Sequence, residues 1–124
     1  MAPPTRWTAR EFMAMGLTYF KFHRWEKYKL EASIDRFKHQ FGVTPATAAL
    51  AWETMIDSDD PRIKIEKGRC TKPKYLLLAL RWLFVYETER QLGPHFDIHS
   101  TTTTEKHLKI WVRKIQLLLP SLVS

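Results

Sequence analysis

Metal binding or proton transfer in this sequence would fall to five histidines, one cysteine and 13 carboxylates, and their spacing assembles no site. His95, His99 and His107 with Cys70 come nearest to a zinc set. Structural zinc sites draw on paired ligands such as Cys-x₂₋₄-Cys or His-x₃₋₅-His, whereas Cys70 stands alone in a basic segment and the His95-x₃-His99 pair spans an expected turn. Asp57, Asp59 and Asp60 are close enough together to suggest Mg²⁺ or Ca²⁺, yet they lack the glycine and distal glutamate of a calcium loop. They read as solvated aspartates that end a helix. The sequence has no glycine-rich phosphate loop and no Gly-x-Ser-x-Gly nucleophile turn. No enzyme activity, metal or cofactor is therefore expected.

The cations are more informative. Residues 1–60 carry as many acidic as basic side chains, so all of the formal charge of +7 falls in residues 61–124. A basic charge confined to one segment favours a polyanionic partner, with a lysine-rich solvated surface as the plain alternative. Near the C-terminus, Lys106, Lys109 and Arg113 recur at i, i+3 and i+7. At 100° per residue they lie opposite an apolar face of Leu108, Trp111, Val112, Ile115 and Leu119, with Ile110 and Leu117 interrupting the polar side. A second set near the N-terminus interleaves Phe20, Phe22, Trp25 and Tyr28 with Lys21, Arg24, Lys27 and Lys29. Such a stripe can stack on bases, although core packing with lysines at the edge is the preferred reading.

Helices must position both sets. The 124 residues, 44% of them hydrophobic, suit one domain, and only four glycines and seven prolines break the chain. The expectation is a single all-α domain of about five to six helices containing helix-turn-helix units. Its segments are N-terminal aromatic and basic helices (1–31), a helix-turn-helix unit (32–57), a basic connector (62–72), and a helix followed by a second helix-turn-helix (73–119). Major helices are predicted over 18–40, 45–57, 74–86 and 103–119. Thr8 and Glu11 have capping-box spacing, and Gly16 should loosen the short helix that follows. Gly42 suits a helix stop, Thr44 a cap and Pro45 the first turn of the next helix, while Thr102 and Glu105 again have capping-box spacing. Trp52, Leu77, Leu80, Trp82, Phe84, Leu108, Trp111 and Ile115 should be largely buried. The apolar run from Tyr75 to Tyr86 contains Arg81 and is too short to span a membrane. With no secretory signal in the first residues and a lone cysteine, an intracellular setting is expected.

Two stretches resemble a known family. Phe37-Lys38-His39-Gln40-Phe41-Gly42-Val43-Thr44-Pro45, followed by Leu50-Ala51-Trp52, resembles the Phe-Gly-Val-Ser-Pro and Leu-x-Trp segment near the N-terminus of Harbinger-like DDE transposases and their domesticated relatives. Lys72-Pro73-Lys74-Tyr75-Leu76-Leu77-Leu78-Ala79-Leu80-Arg81-Trp82-Leu83, with Tyr86-Glu87-Thr88-Glu89, is similar to that family's next helix and the turn into its helix-turn-helix. Lys109-Ile110-Trp111-Val112 lies where the family often has Arg-Lys-Trp-x-Trp. The matches span about residues 36–119. The resemblance implies a helical, DNA-binding region, acting in the nucleus, of the kind that precedes an RNase H-like catalytic core. Residues 1–124 contain no such core, and the threonine-rich turn over Asp97–Thr104 departs from the family pattern.

On this reading the last helix enters the major groove of double-stranded DNA. Thr103, Lys106, His107 and Lys109 would face the groove, and Arg113 and Lys114 would lie nearer the backbone. Arginine, the commonest reader of guanine, occurs once in that helix, so strong sequence specificity is not implied. Two other readings stay open. Leu117, Leu118, Leu119, Leu122 and Val123 would serve a homodimer or docking on a separate transposase or chromatin protein. Trp7, Tyr19 and Trp25 would be the stacking residues of an RNA-binding domain.

Overall fold

Thr8 and Glu11 close both halves of a capping box, each side chain accepting the other residue's backbone N–H at 3.2 Å. They open α1 (Ala9–Tyr19), the first element of a computed structural model that describes residues 6–65, 72–85 and 87–123, with side chains through Pro120 in the last helix. Contrary to expectation, Gly16 does not loosen α1. A β-carbon there would sit 2.6 Å from ring carbons of both Phe37 and Phe41, so glycine lets those rings lie against the α1 backbone.

The helix expected over 18–40 is broken. Lys21 adopts a left-handed φ of 70°, and the N–H groups of Lys21 and Phe22 turn back to the carbonyls of Thr18 and Leu17. This is a Schellman stop built on lysine rather than glycine. A 3-10 turn (Trp25–Lys27) follows, and α2 (Leu30–Phe41) begins after it, with Ser33 Oγ donating to the Trp25 carbonyl at 3.1 Å. Gly42, at φ 76°, caps α2. Thr44 then caps α3 (Pro45–Asp57) by accepting the Thr47 N–H at 3.2 Å, with Pro45 in the first turn as expected.

After α3 the chain turns at Asp60, and Ile65 is buried with its N–H bonded to the Met55 carbonyl. The rest of the connector through Thr71, Cys70 included, lies outside the described residues, as does Tyr86. In α4 (Pro73–Val85) every residue from Tyr75 to Arg81 is buried, and the helix touches α1, α2, α3 and two later helices. Those are α5 (Glu89–His95), opened by an unforeseen Thr88–Gln91 capping box, and α6 (Thr101–Val123). Asp97, at φ 59°, ends α5 with a second Schellman arrangement in which the Ile98 N–H reaches the Gly93 carbonyl. Ser100, not the Thr102–Glu105 pair, then caps α6, its Oγ accepting the Thr103 N–H at 3.2 Å. The fold is thus all-α, a single small domain with six α-helices and no strand among the described residues.

Burial corrects three apolar assignments. Trp82 is half-buried, and Phe84, on the emerging last turn of α4, is 44% exposed while lying over Gly42. The buried stripe of α6 is centred on Thr104, Trp111 and Leu118, so Leu119 falls at its margin and is exposed. No described helix is long and apolar enough to cross a membrane.

Candidate nucleic-acid interface

The packed side of α6 is held by Trp111, whose ring stacks on Trp52 of α3 with centroids 5.8 Å apart and planes within 5°. Thr104, His107, Leu108, Ile115 and Leu118 complete that side. Because the helix advances 100° per residue, burying this stripe turns Lys106, Lys109 and Arg113 outward, and all three are exposed together with Thr103. Lys109 pairs with Glu105 one turn earlier at 3.2 Å, across solvent. An exposed pair of this kind contributes little and gives way readily to a stronger anion.

Two of the six proposed contact residues are placed differently. His107 is 6% exposed and lies flat on Tyr75, with ring centroids 3.7 Å apart and planes 13° from parallel. Lys114 folds back to donate to the carbonyls of Arg62, Ile63 and Lys64, the last at 2.9 Å, and so pins the connector to α6. Neither residue is turned outward with the other four, because each is engaged by a neighbouring element.

Burial pushes the His107 imidazolium down, and the positive charges of Lys106, Lys74 and Lys72 push it further. Lys74 Nζ lies 5.5 Å from the Tyr75 ring centroid, on the stack itself. Lys72 and Lys74, which in the sequence are distinguished only by the motif they share with Pro73, add positive charge at the start of α4. Lys74 also meets the Phe96 carbonyl at 3.5 Å, and partial burial and Lys72 lower its affinity for a proton. Cations at the start of a helix oppose its dipole, and the nearby Asp97 carboxylate offsets this in part at Lys74.

The two buried or half-buried histidines give a pH dependence. His95 is also pushed down, by burial and then by Arg81, so at neutral pH it is uncharged and donates from Nε2 to Glu87 at 3.2 Å. In the unfolded chain a histidine titrates near 6.5. Below that pH the unfolded state takes up protons that the folded state refuses, so stability falls on acidification. The limiting slope is about 1.4 kcal/mol per pH unit for each ring, and it levels off once the folded protein titrates as well. His107 Nδ1 has no hydrogen-bond partner among the described residues. His107→Phe is therefore expected to keep the stack on Tyr75, to cost no stability at pH 7.5, and to flatten the decline between pH 6.5 and 5. Urea midpoints of the two proteins across that range check this; an unchanged decline would remove His107 as its source.

The other chemistry considered finds structural employment. Asp57 pairs with Arg6 at 2.7 Å, and Arg62 holds the Asp60 carboxyl below its ordinary range through a bidentate contact. Among the described residues no three histidine, cysteine or acidic side chains group as metal ligands. Trp25 is buried, while Trp7 packs on Phe12 at 5.4 Å and Tyr19 on Phe96 at 5.1 Å. Leu118 is buried within its own core, and the Leu122 and Val123 side chains lie outside those described.

Fold and surface together define a small helical domain whose last helix turns a cationic face outward. Comparison with protein families, with curated proteins and with solved structures finds no match.

Proposed function

We propose that this domain binds double-stranded DNA through α6 and carries out no catalysis of its own. The observation that carries this reading is the outward face of Thr103, Lys106, Lys109 and Arg113 on a helix locked from behind by the Trp52–Trp111 stack. A rigid helix with a cationic stripe fits the major groove and sets its register through phosphates. In this reading α5, the turn over residues 96–100 and α6 act as a helix-turn-helix unit. Lys72 and Lys74 add phosphate contacts at the near edge. The resemblance in residues 36–119 makes a transposase-derived module, acting in the nucleus, the origin we favour.

The test is binding to random duplex DNA at several salt concentrations. Replacing Lys106, Lys109 and Arg113 together by Ala is expected to reduce the slope of log affinity against log salt by about 2.7, with melting temperature nearly unchanged. If the triple variant binds as tightly as the parent at every salt concentration, α6 is not the contacting element. Docking on a partner protein then becomes the better reading.

A further inference from the structure

The aromatic and basic stretch between α1 and α2 does not form the helix expected of it, and what it forms instead is a platform. Trp25 is buried and anchors the segment. Its carbonyl accepts both the Tyr28 N–H at 3.2 Å and Ser33 Oγ at 3.1 Å, which fixes the backbone on either side of Lys27. Tyr28, by contrast, is 55% exposed. The Arg36 guanidinium lies 5.1 Å from its ring centroid and 4.6 Å from that of Phe22, so the exposed ring is braced against the fold.

Beside Tyr28 is a pocket of about 260 Å³ lined by Arg10, Trp25, Glu26, Tyr28, Leu30 and Ser33. Arg36 is not part of that lining. Arg10 lies over the Trp25 ring at 4.9 Å and meets Glu26 at 3.4 Å on the rim. The pocket is small beside the roughly 300–1,000 Å³ of drug-sized sites, which suits one planar ring. In the same segment Lys21, Arg24, Lys27 and Lys29 are all exposed, and none is ion-paired with a described residue. Glu26 is the only acid between Phe20 and Leu30.

We infer that this pocket takes an unpaired base of single-stranded nucleic acid, which stacks on Tyr28 while Lys27 and Lys29 hold the flanking phosphates. A braced aromatic ring between cations offers a π face to any base and charge to the backbone on both sides, the combination by which single strands are held with little sequence preference. An acidic peptide would use the lysines but gains nothing from an exposed ring beside a pocket of one-base size. The inference stands apart from the α6 reading, since it concerns a different surface and an unpaired strand.

The test measures fluorescence anisotropy of labelled 12-residue oligo(deoxythymidine) and oligo(uridine) with the full chain, with random duplex as a third arm. Tyr28→Ala is expected to weaken binding of one or both single strands by about five- to 150-fold and to leave the duplex arm and the melting temperature unchanged. Loss with only one of the two strands identifies the sugar the site accepts. Tyr28→Phe, which keeps the ring, should stay within about twofold of the parent. Lys27→Ala with Lys29→Ala should lower the salt slope for single strands by about 1.4. The inference fails if the parent binds neither oligonucleotide or if Tyr28→Ala binds both as the parent does. It also fails if Tyr28→Phe loses as much as Tyr28→Ala, or if only the lysine variant loses affinity, which would leave a surface that meets polyanions by charge alone.

Discussion

Trp111→Ala is expected to destabilise the domain by about 3 to 5 kcal/mol, measured as a shift in urea midpoint at unchanged slope. The ring is fully buried, and its parallel stack on Trp52 is the joint between α6 and α3. Phe12 of α1 meets Trp52 edge-on at 6.2 Å, so the ring on which Trp111 stacks is itself held in place by a third helix. Each helix is held from several sides and cannot collapse into the space left by truncation, which is the condition under which a cavity retains its cost. Trp111→Phe should lose less, because a flat ring remains to meet Trp52. On the DNA-binding reading, the folded fraction of Trp111→Ala keeps the parental salt slope, separating loss of fold from loss of contacts. A destabilisation below about 1 kcal/mol would mean that the stack does not join the helices as described.

Glu87→Ala is expected to cost nearly as much, about 3 kcal/mol, for an electrostatic reason. Arg81 is 8% exposed in the middle of α4, a position that would otherwise be apolar. Its Nη1 donates to both the carbonyl and Oε1 of Gln40 at 2.8 Å, its Nη2 pairs with Glu87, and its guanidinium lies 4.3 Å from the Phe20 centroid. Burial already lowers the Arg81 pKa. Removing the one carboxylate therefore leaves a desolvated cation with neutral acceptors alone. Gln40 still accepts, so the loss falls at the lower end of the range for broken buried pairs. Replacing both charges, as Arg81→Met with Glu87→Leu, is expected to cost less than Glu87→Ala alone, since no unpaired charge is left behind. Chemical denaturation of the three variants checks the order. Should the double variant be the least stable, the pair would be a net contributor rather than a matched cost.

Arg81 also shows where reading residues in order loses information. In the sequence it is an interruption of an apolar run; its partners are Gln40 of α2 and Glu87 in the link after α4, and nothing in the sequence names them. The same holds for Lys114, which looks like one more cation of a basic helix until the connector carbonyls are brought within reach. His107 is one residue from Lys106, yet 100° of helix rotation carries it onto Tyr75. Lys72 and Lys74 join the cationic surface only because α4 begins beside α6.

What was legible depended on chemistry confined to a few consecutive residues. Capping by Thr8 and Thr44, the stop at Gly42, Pro45 in a first turn, and the two sides of α6 follow from side chains that satisfy backbone groups within one turn, or from a repeat near 3.6 residues. The all-α class follows from the same short-range terms. The break at Lys21 did not show, because a left-handed residue there has no glycine to advertise it; burial of Leu17 and Trp25 outweighs the modest cost of that conformation for lysine. Gly16 presents the converse case: its value lies in the approach of Phe37 and Phe41 from another helix, not in the freedom of its own backbone. Local terms of about 1 kcal/mol are enough to place helix ends. Which side of each helix is hidden, and which cations remain free to meet a ligand, is decided by burial of large apolar surfaces contributed by residues far apart in the chain.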